Sequence, residues 1–104
     1  DQFYMMLAIK EAKQAQSMGE VPVGAVIVDE AKKVIGHGYN APISTSDPTC
    51  HAEITAIRMA AQRRKNYRLP GTTLYVTIEP CIMCMGAIIH SRIKRVVFGA
   101  SDPK

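Results

Sequence analysis

Two short segments hold the residues best suited to chemistry, His51-Ala52-Glu53 and Pro80-Cys81-Ile82-Met83-Cys84. Thiolates and a neutral imidazole are a donor set that zinc favours. Cys81 and Cys84 stand three positions apart, so a helix opening at Pro80 presents both on one face of its first turn. The free amides and dipole at such a helix start favour thiolate over thiol. With His51 these make three ligands, and three rather than four leave a coordination position for water, the mark of a catalytic metal site. Zinc lowers the pKa of such a water toward neutrality, but attack on an amine-bearing carbon also needs a proton carried to the leaving nitrogen. Glu53, two residues past His51 and the only acid in either segment, is suited to that shuttle without being a ligand. The third cysteine, Cys50, keeps a second reading open, in which Cys50, His51, Cys81 and Cys84 close a purely structural tetrahedron. Three cysteines cannot all pair, and the Cys81/Cys84 spacing is too tight for a useful disulfide, so metal binding in a reducing compartment fits better.

These side chains need a scaffold. From Asp1 to Met18, Phe3, Met6, Leu7, Ala8 and Ala15 interleave with Lys10, Glu11, Lys13 and Gln14, the pattern of an amphipathic helix stopped by Gly19. Val23 to Val28 is a continuous, largely β-branched run expected of a strand covered on both faces. Val34 to Tyr39 follows as a second strand across a short link that lacks the Asn-Gly or Asp-Gly pair of a strong hairpin. Asn40 to Thr49 reads as a loop. Ile54, Ile57, Ala60 and Ala61 give helical spacing to His51 through Arg64. Pro70 and Gly71 punctuate before a strand at Thr72 to Ile78; Pro80 opens a helix to about His90; Val96 to Phe98 is a fourth strand. The closing strand-helix-strand unit implies parallel pairing, with helices over both sheet faces. A single domain over residues 1–104 is expected, since the chain is too short for two.

With 47% hydrophobic and 21% charged residues, the composition is that of a globular domain and excludes a disordered tail or collagen-like repeat. Apolar stretches such as Gly24 to Val28 fall far short of the roughly 20 residues that cross a bilayer. No basic-then-apolar leader opens the chain, so a soluble, cytoplasmic protein without a membrane partner is expected. The net charge of +4, with clusters at Arg63, Arg64, Lys65 and Arg68 and at Arg92, Lys94 and Arg95, suits a polyanionic partner, although on charge alone a solvated surface face is the commoner meaning of such clusters. Met83, Met85, Ile88 and Ile89 are more apolar surface than one short helix needs, which points to a homodimer. His37 and His90 show no partner pattern and read as surface residues.

His-x-Glu followed by Pro-Cys-x-x-Cys is the signature of the zinc-dependent cytidine/deoxycytidylate deaminase superfamily. The chain resembles, within it, the bacterial tRNA adenosine deaminases. The resemblance is carried by Glu20-Val21-Pro22-Val23-Gly24-Ala25-Val26, Asp47-Pro48-Thr49, His51-Ala52-Glu53, Thr73-Leu74-Tyr75-Val76-Thr77, Glu79-Pro80-Cys81 and Val96-Val97-Phe98-Gly99-Ala100-Ser101-Asp102. It implies an α/β fold, a three-layer α/β/α cytidine-deaminase-like sandwich around a mixed sheet, with one Zn2+ per subunit. It further implies hydrolysis of adenosine to inosine at the wobble position of a tRNA anticodon loop by a homodimer. By the same resemblance, Asn40 and the backbone of Ala52 contact the base and Asp102 lies beside the bound nucleotide. The family has a fifth strand and a C-terminal helix beyond the point where this chain stops, so the chain is expected to be shortened at that end, with an unpaired edge at Val96 to Phe98. A deaminase of a free base or nucleotide, above all a guanine deaminase, whose metal motif is nearly the same, is the competing enzyme reading.

Overall fold

Strand alternation decides how the chain is layered. A computed structural model describes residues 1–100. Its elements are α1 (Gln2–Ser17), β1 (Gly24–Val28), β2 (Val34–Tyr39), α2 (Pro42–Thr45), α3 (Ala52–Arg64), β3 (Thr73–Val76), α4 (Ile82–His90) and β4 (Arg95–Phe98). The sheet runs β2-β1-β3-β4, with β1 antiparallel to both neighbours and β3 parallel to β4. Val26, Val28 and Tyr75 point to one face, where they pack with Ala8 of α1. Ala25, Ile27, Leu74 and Val76 point to the other and meet Ala52, Ala56 and Ala60 of α3 and Ile88 of α4. The result is the expected three-layer arrangement around a mixed sheet. Every residue of β1 is buried because both faces are covered. Sinking a side chain such as Ile27 or Leu74 there contributes about 1.5–3 kcal/mol relative to leaving it in water.

Two glycines set the height of α3 above the sheet. A Cβ on Gly36 would run into the Ala56 carbonyl, and one on Gly38 into Thr55 and the Ala52 carbonyl. With Ala56 and Ala60 facing them, helix and strand approach far closer than larger side chains would allow. Ala25 pairs with Gly38 on one side and Val76 on the other, so the C-terminal ends of β2 and β3 lie at the same edge of the sheet. The chain leaves both ends there to start α3 and α4. That coincidence builds the site.

Several details differ from the sequence reading. The segment expected to be a loop contains α2, because Pro42 at its start presets the helical φ and a distant carboxylate caps it, as described below. The helix expected from Pro80 begins at Ile82, with Cys81 as its N-cap. The third strand is trimmed to Thr73–Val76. The hairpin after β1 turns without an Asn-Gly pair, since Asp29 Oδ1 accepts from the amides of Ala31 and Lys33, each at 2.9 Å, and Lys32 takes a φ of 67°. Among the described residues no helix is long and apolar enough to cross a membrane.

Candidate metal centre

His51 and Cys81 are the N-caps of α3 and α4, both with extended backbone that turns the side chain away from the helix axis. Cys84 lies on the first turn of α4. His51 Nδ1 is 3.6 Å from Cys81 Sγ and 3.5 Å from Cys84 Sγ, and the three donor atoms all lie within 4.8 Å of one another. A tetrahedral zinc with bonds of about 2.0–2.3 Å sets neighbouring donors about 3.5–3.8 Å apart, so the residues present fit that ion. Burial pushes the Cys84 thiol well above its ordinary value, and the Glu53 carboxylate and the Cys81 sulfur beside it push the same way. This corrects the expectation that the helix start favours thiolate at both cysteines: at Cys84 desolvation and like charge outweigh the dipole. A cation among the donors reverses that balance.

Glu53 is 3% exposed. Burial raises its carboxyl above the usual range, against smaller opposing effects from its own backbone, His51 and the Cys84 side chain. A buried carboxyl raised above its usual range, beside a metal ligand, suits proton transfer. Asn40, which directly follows β2, is held at both ends. Its N–H donates to the Val23 carbonyl and its Oδ1 accepts from the Ala52 N–H, each at 3.0 Å. Ala52 opens α3, so its amide has no partner within the helix and Asn40 supplies one.

Some expected contributors stand elsewhere. Cys50 is not in the donor cluster: its sulfur lies 3.8 Å from Thr55 Oγ1 and lines a hollow of about 270 Å³ with His37, Thr55 and Met59. The four-ligand structural tetrahedron is therefore not formed, since adjacent residues at a helix start diverge. Ile88 is buried against the sheet, leaving Ile82, Met83, Met85 and Ile89 as the exposed stripe of α4. Arg64 is taken up by Glu30 and the Pro70 carbonyl, and Arg95 by Asp1. The remaining cations of the basic clusters sit at the C-terminal ends of α3 and α4, opposite the metal centre. His37 is at the surface, 3.2 Å from Glu11. Asp102 lies outside the described residues.

The role of one residue of this region escaped the sequence reading. Glu20, 6% exposed, accepts from the N–H of Ile43 at 3.2 Å and from the N–H and Oγ of Ser44 at 2.7 and 2.9 Å. Its spacing gives no hint of this, because the partners come from a helix more than twenty positions later.

The cytidine and deoxycytidylate deaminase zinc-binding region matches residues 1–100. The chain belongs to that family. His51, Cys81 and Cys84 are positioned to bind a metal ion in a chain that matches this zinc-binding region. The chain is 59% identical to the tRNA-specific adenosine deaminase of Haemophilus influenzae over all 104 residues, which is 60% of that protein's length. It is 48% identical to the Bacillus subtilis protein of the same name, again over its whole length and 64% of the relative. The chain thus spans about three-fifths of these curated relatives. Among solved structures, it superposes with a TM-score of 0.96 and 47% identity on a chain from a study of A-to-I editing by tRNA:A34 deaminases, covering 100% of this chain and 75% of that one. A guanine deaminase from Bacillus subtilis gives a TM-score of 0.91 and 39% identity, covering 96% and 64%.

Proposed function

We propose that the protein hydrolyses adenosine to inosine at the wobble position of a tRNA anticodon loop. The observation that carries this reading is the three-donor cluster with the buried Glu53 carboxyl beside it, in a chain 59% identical to a protein named for that activity. When bound, zinc acidifies a water and so supplies the nucleophile. Glu53 would take one proton from the water and pass it to the purine ring nitrogen, where inosine keeps it, and would then carry the second, from the hydroxyl left on the ring carbon, to the departing amine, so that one water is consumed and one ammonia released. Its carboxyl, raised by burial, suits both halves of the exchange, accepting a proton and then donating it. Asn40 orients the base. The bond to Ala52 occupies its carbonyl, so it meets the purine with its amide N–H groups, and a base contact from the Ala52 amide would have to share that bond. Asp102 is proposed to lie beside the nucleotide on the strength of the family resemblance alone.

A ring carbon stacked in a helix cannot reach a metal held at helix starts, which favours a base splayed from a loop. The exposed stripe Ile82, Met83, Met85 and Ile89 supports a homodimer through α4, and three free cysteines suit a cytoplasmic setting. One domain over residues 1–104 accords with the single continuous sheet among the described residues. The test is to offer the zinc-loaded, full-length protein a wobble-adenosine stem-loop, free adenosine, free guanine and cytidine. Inosine from the stem-loop is the expected product. Efficient xanthine formation from guanine with the stem-loop untouched would transfer the assignment to the guanine deaminases.

A further inference from the structure

Glu20 is a buried carboxylate with no cation beside it: among the described residues no Lys, Arg or His lies within ion-pairing distance. Such a group is costly to bury unless hydrogen bonds replace its water. Burial works against its charge, yet the Ser44 and Ile43 donors outweigh it and leave the carboxyl below its ordinary value. The donors come from the first turn of α2, whose own N-cap, Ala41, has no side chain able to cap it. Glu20 is itself anchored, since its N–H donates to the Ala15 carbonyl at the end of α1. It therefore ties α2 to a fixed point on the scaffold.

What α2 carries explains why this matters. Ala41, its N-cap, directly follows Asn40, and the Ala41 N–H donates to the Cys50 carbonyl, the residue before ligand His51. The segment 40–51 is closed on itself at its base, with Asn40 and His51 as neighbouring ends. Releasing α2 leaves Asn40 tethered by its Val23 bond on one side and a loosened segment on the other. Cys81 and Cys84 belong to the start of α4 and His51 caps α3, and none of the three hydrogen-bonds to Glu20.

We propose that Glu20 is a positioning residue of the base pocket, acting through α2 to hold the Asn40 side chain on the Ala52 amide. The proposal rests on reading Asn40 as the base contact. It predicts that Glu20→Gln, which turns one of its two acceptor oxygens into a donor that must face the Ile43 or the Ser44 N–H, keeps one zinc per chain but lowers kcat/KM on a wobble-adenosine stem-loop about tenfold. A structural effect alone would do as much, so two further readouts separate them. In a double-mutant cycle, Glu20→Gln should cost less than about twofold on an Asn40→Ala background, because the group it positions is gone. Amide hydrogen exchange should quicken at Ala52, whose N–H has Asn40 as its partner, while Ala25 and Ile27 of β1 stay protected. Additive losses in the cycle, or unchanged exchange at Ala52, would each overturn the proposal. If the wild-type protein leaves the stem-loop untouched, the functional reading fails, and the exchange at Ala52 still decides the role of Glu20.

Discussion

Helices α3 and α4 have two ends that differ in almost every physical respect. At their N-terminal ends, His51, Cys81 and Cys84 converge, with Glu53 and Asn40 buried beside them. At their C-terminal ends, Arg63, Lys65, Arg68, Arg92 and Lys94 are exposed, and among the described residues none has an acidic partner. The helix dipole accounts for part of this, since cations are favoured at C-terminal ends and an electron-rich donor set at N-terminal ones. The sequence carries the same asymmetry. Residues 1–53 hold seven acidic and four basic side chains, while residues 54–104 hold two acidic and nine basic. The 13 residues of α3 put about 20 Å between its two ends. Chemistry and charge are thus separated along one pair of helices, and each can be altered alone.

The largest effect belongs to the N-terminal ends. Cys81→Ala or His51→Ala removes one of three donors, and each variant should lose its zinc and fall to the background rate, as metal analysis beside a stem-loop assay would show. A fully loaded, active Cys81→Ala protein would break the comparison at its strongest point. Next comes the contact that sets how closely α3 approaches the sheet. Gly36→Val places branched atoms against the Ala56 carbonyl, backbone that cannot step aside, and should destabilise the fold by about 3 kcal/mol. Thermal unfolding should register a midpoint lower by roughly 10–20 °C.

Smaller changes are expected at the C-terminal ends. Reversing charge together at Lys65, Arg68 and Lys94 should leave zinc content and kcat intact while weakening RNA binding and flattening its salt dependence. A collapse of kcat would show that this end takes part in the chemistry after all. Arg64→Ala should do least. Its guanidinium is occupied by Glu30 and the Pro70 carbonyl, so the loss should be about 1 kcal/mol of stability or less, with RNA affinity unchanged.

Sequence patterns carried the frame further than the joints. The β-branched run of β1 announced a strand covered on both faces, and the Cys-x-x-Cys and His-x-Glu spacings announced three donors, because both are local properties of the chain. Cys50 stands next to His51, and adjacent residues rarely point at one ion; where its sulfur goes instead, beside Thr55 and Met59, is a tertiary matter that spacing does not carry. Arg64 looked like a free cation beside Arg63 because its partner Glu30 lies in the β1–β2 hairpin. Ile88 looked like surplus apolar surface because the rotation of α4 over the sheet is a tertiary matter. The role of Glu20, quoted only within a resembling segment, was illegible for the same reason, as its worth depends on where α2 ends up.

The account turns on Glu53 moving protons beside the metal without holding it. Its most direct test is Glu53→Gln in the full-length protein, with zinc content and single-turnover deamination of a wobble-adenosine stem-loop measured on the same preparation. One zinc per chain with the chemical step slowed by at least about a hundredfold is the predicted result. Loss of zinc would make Glu53 a ligand, and retained turnover would remove it from the reaction; either would contradict the mechanism.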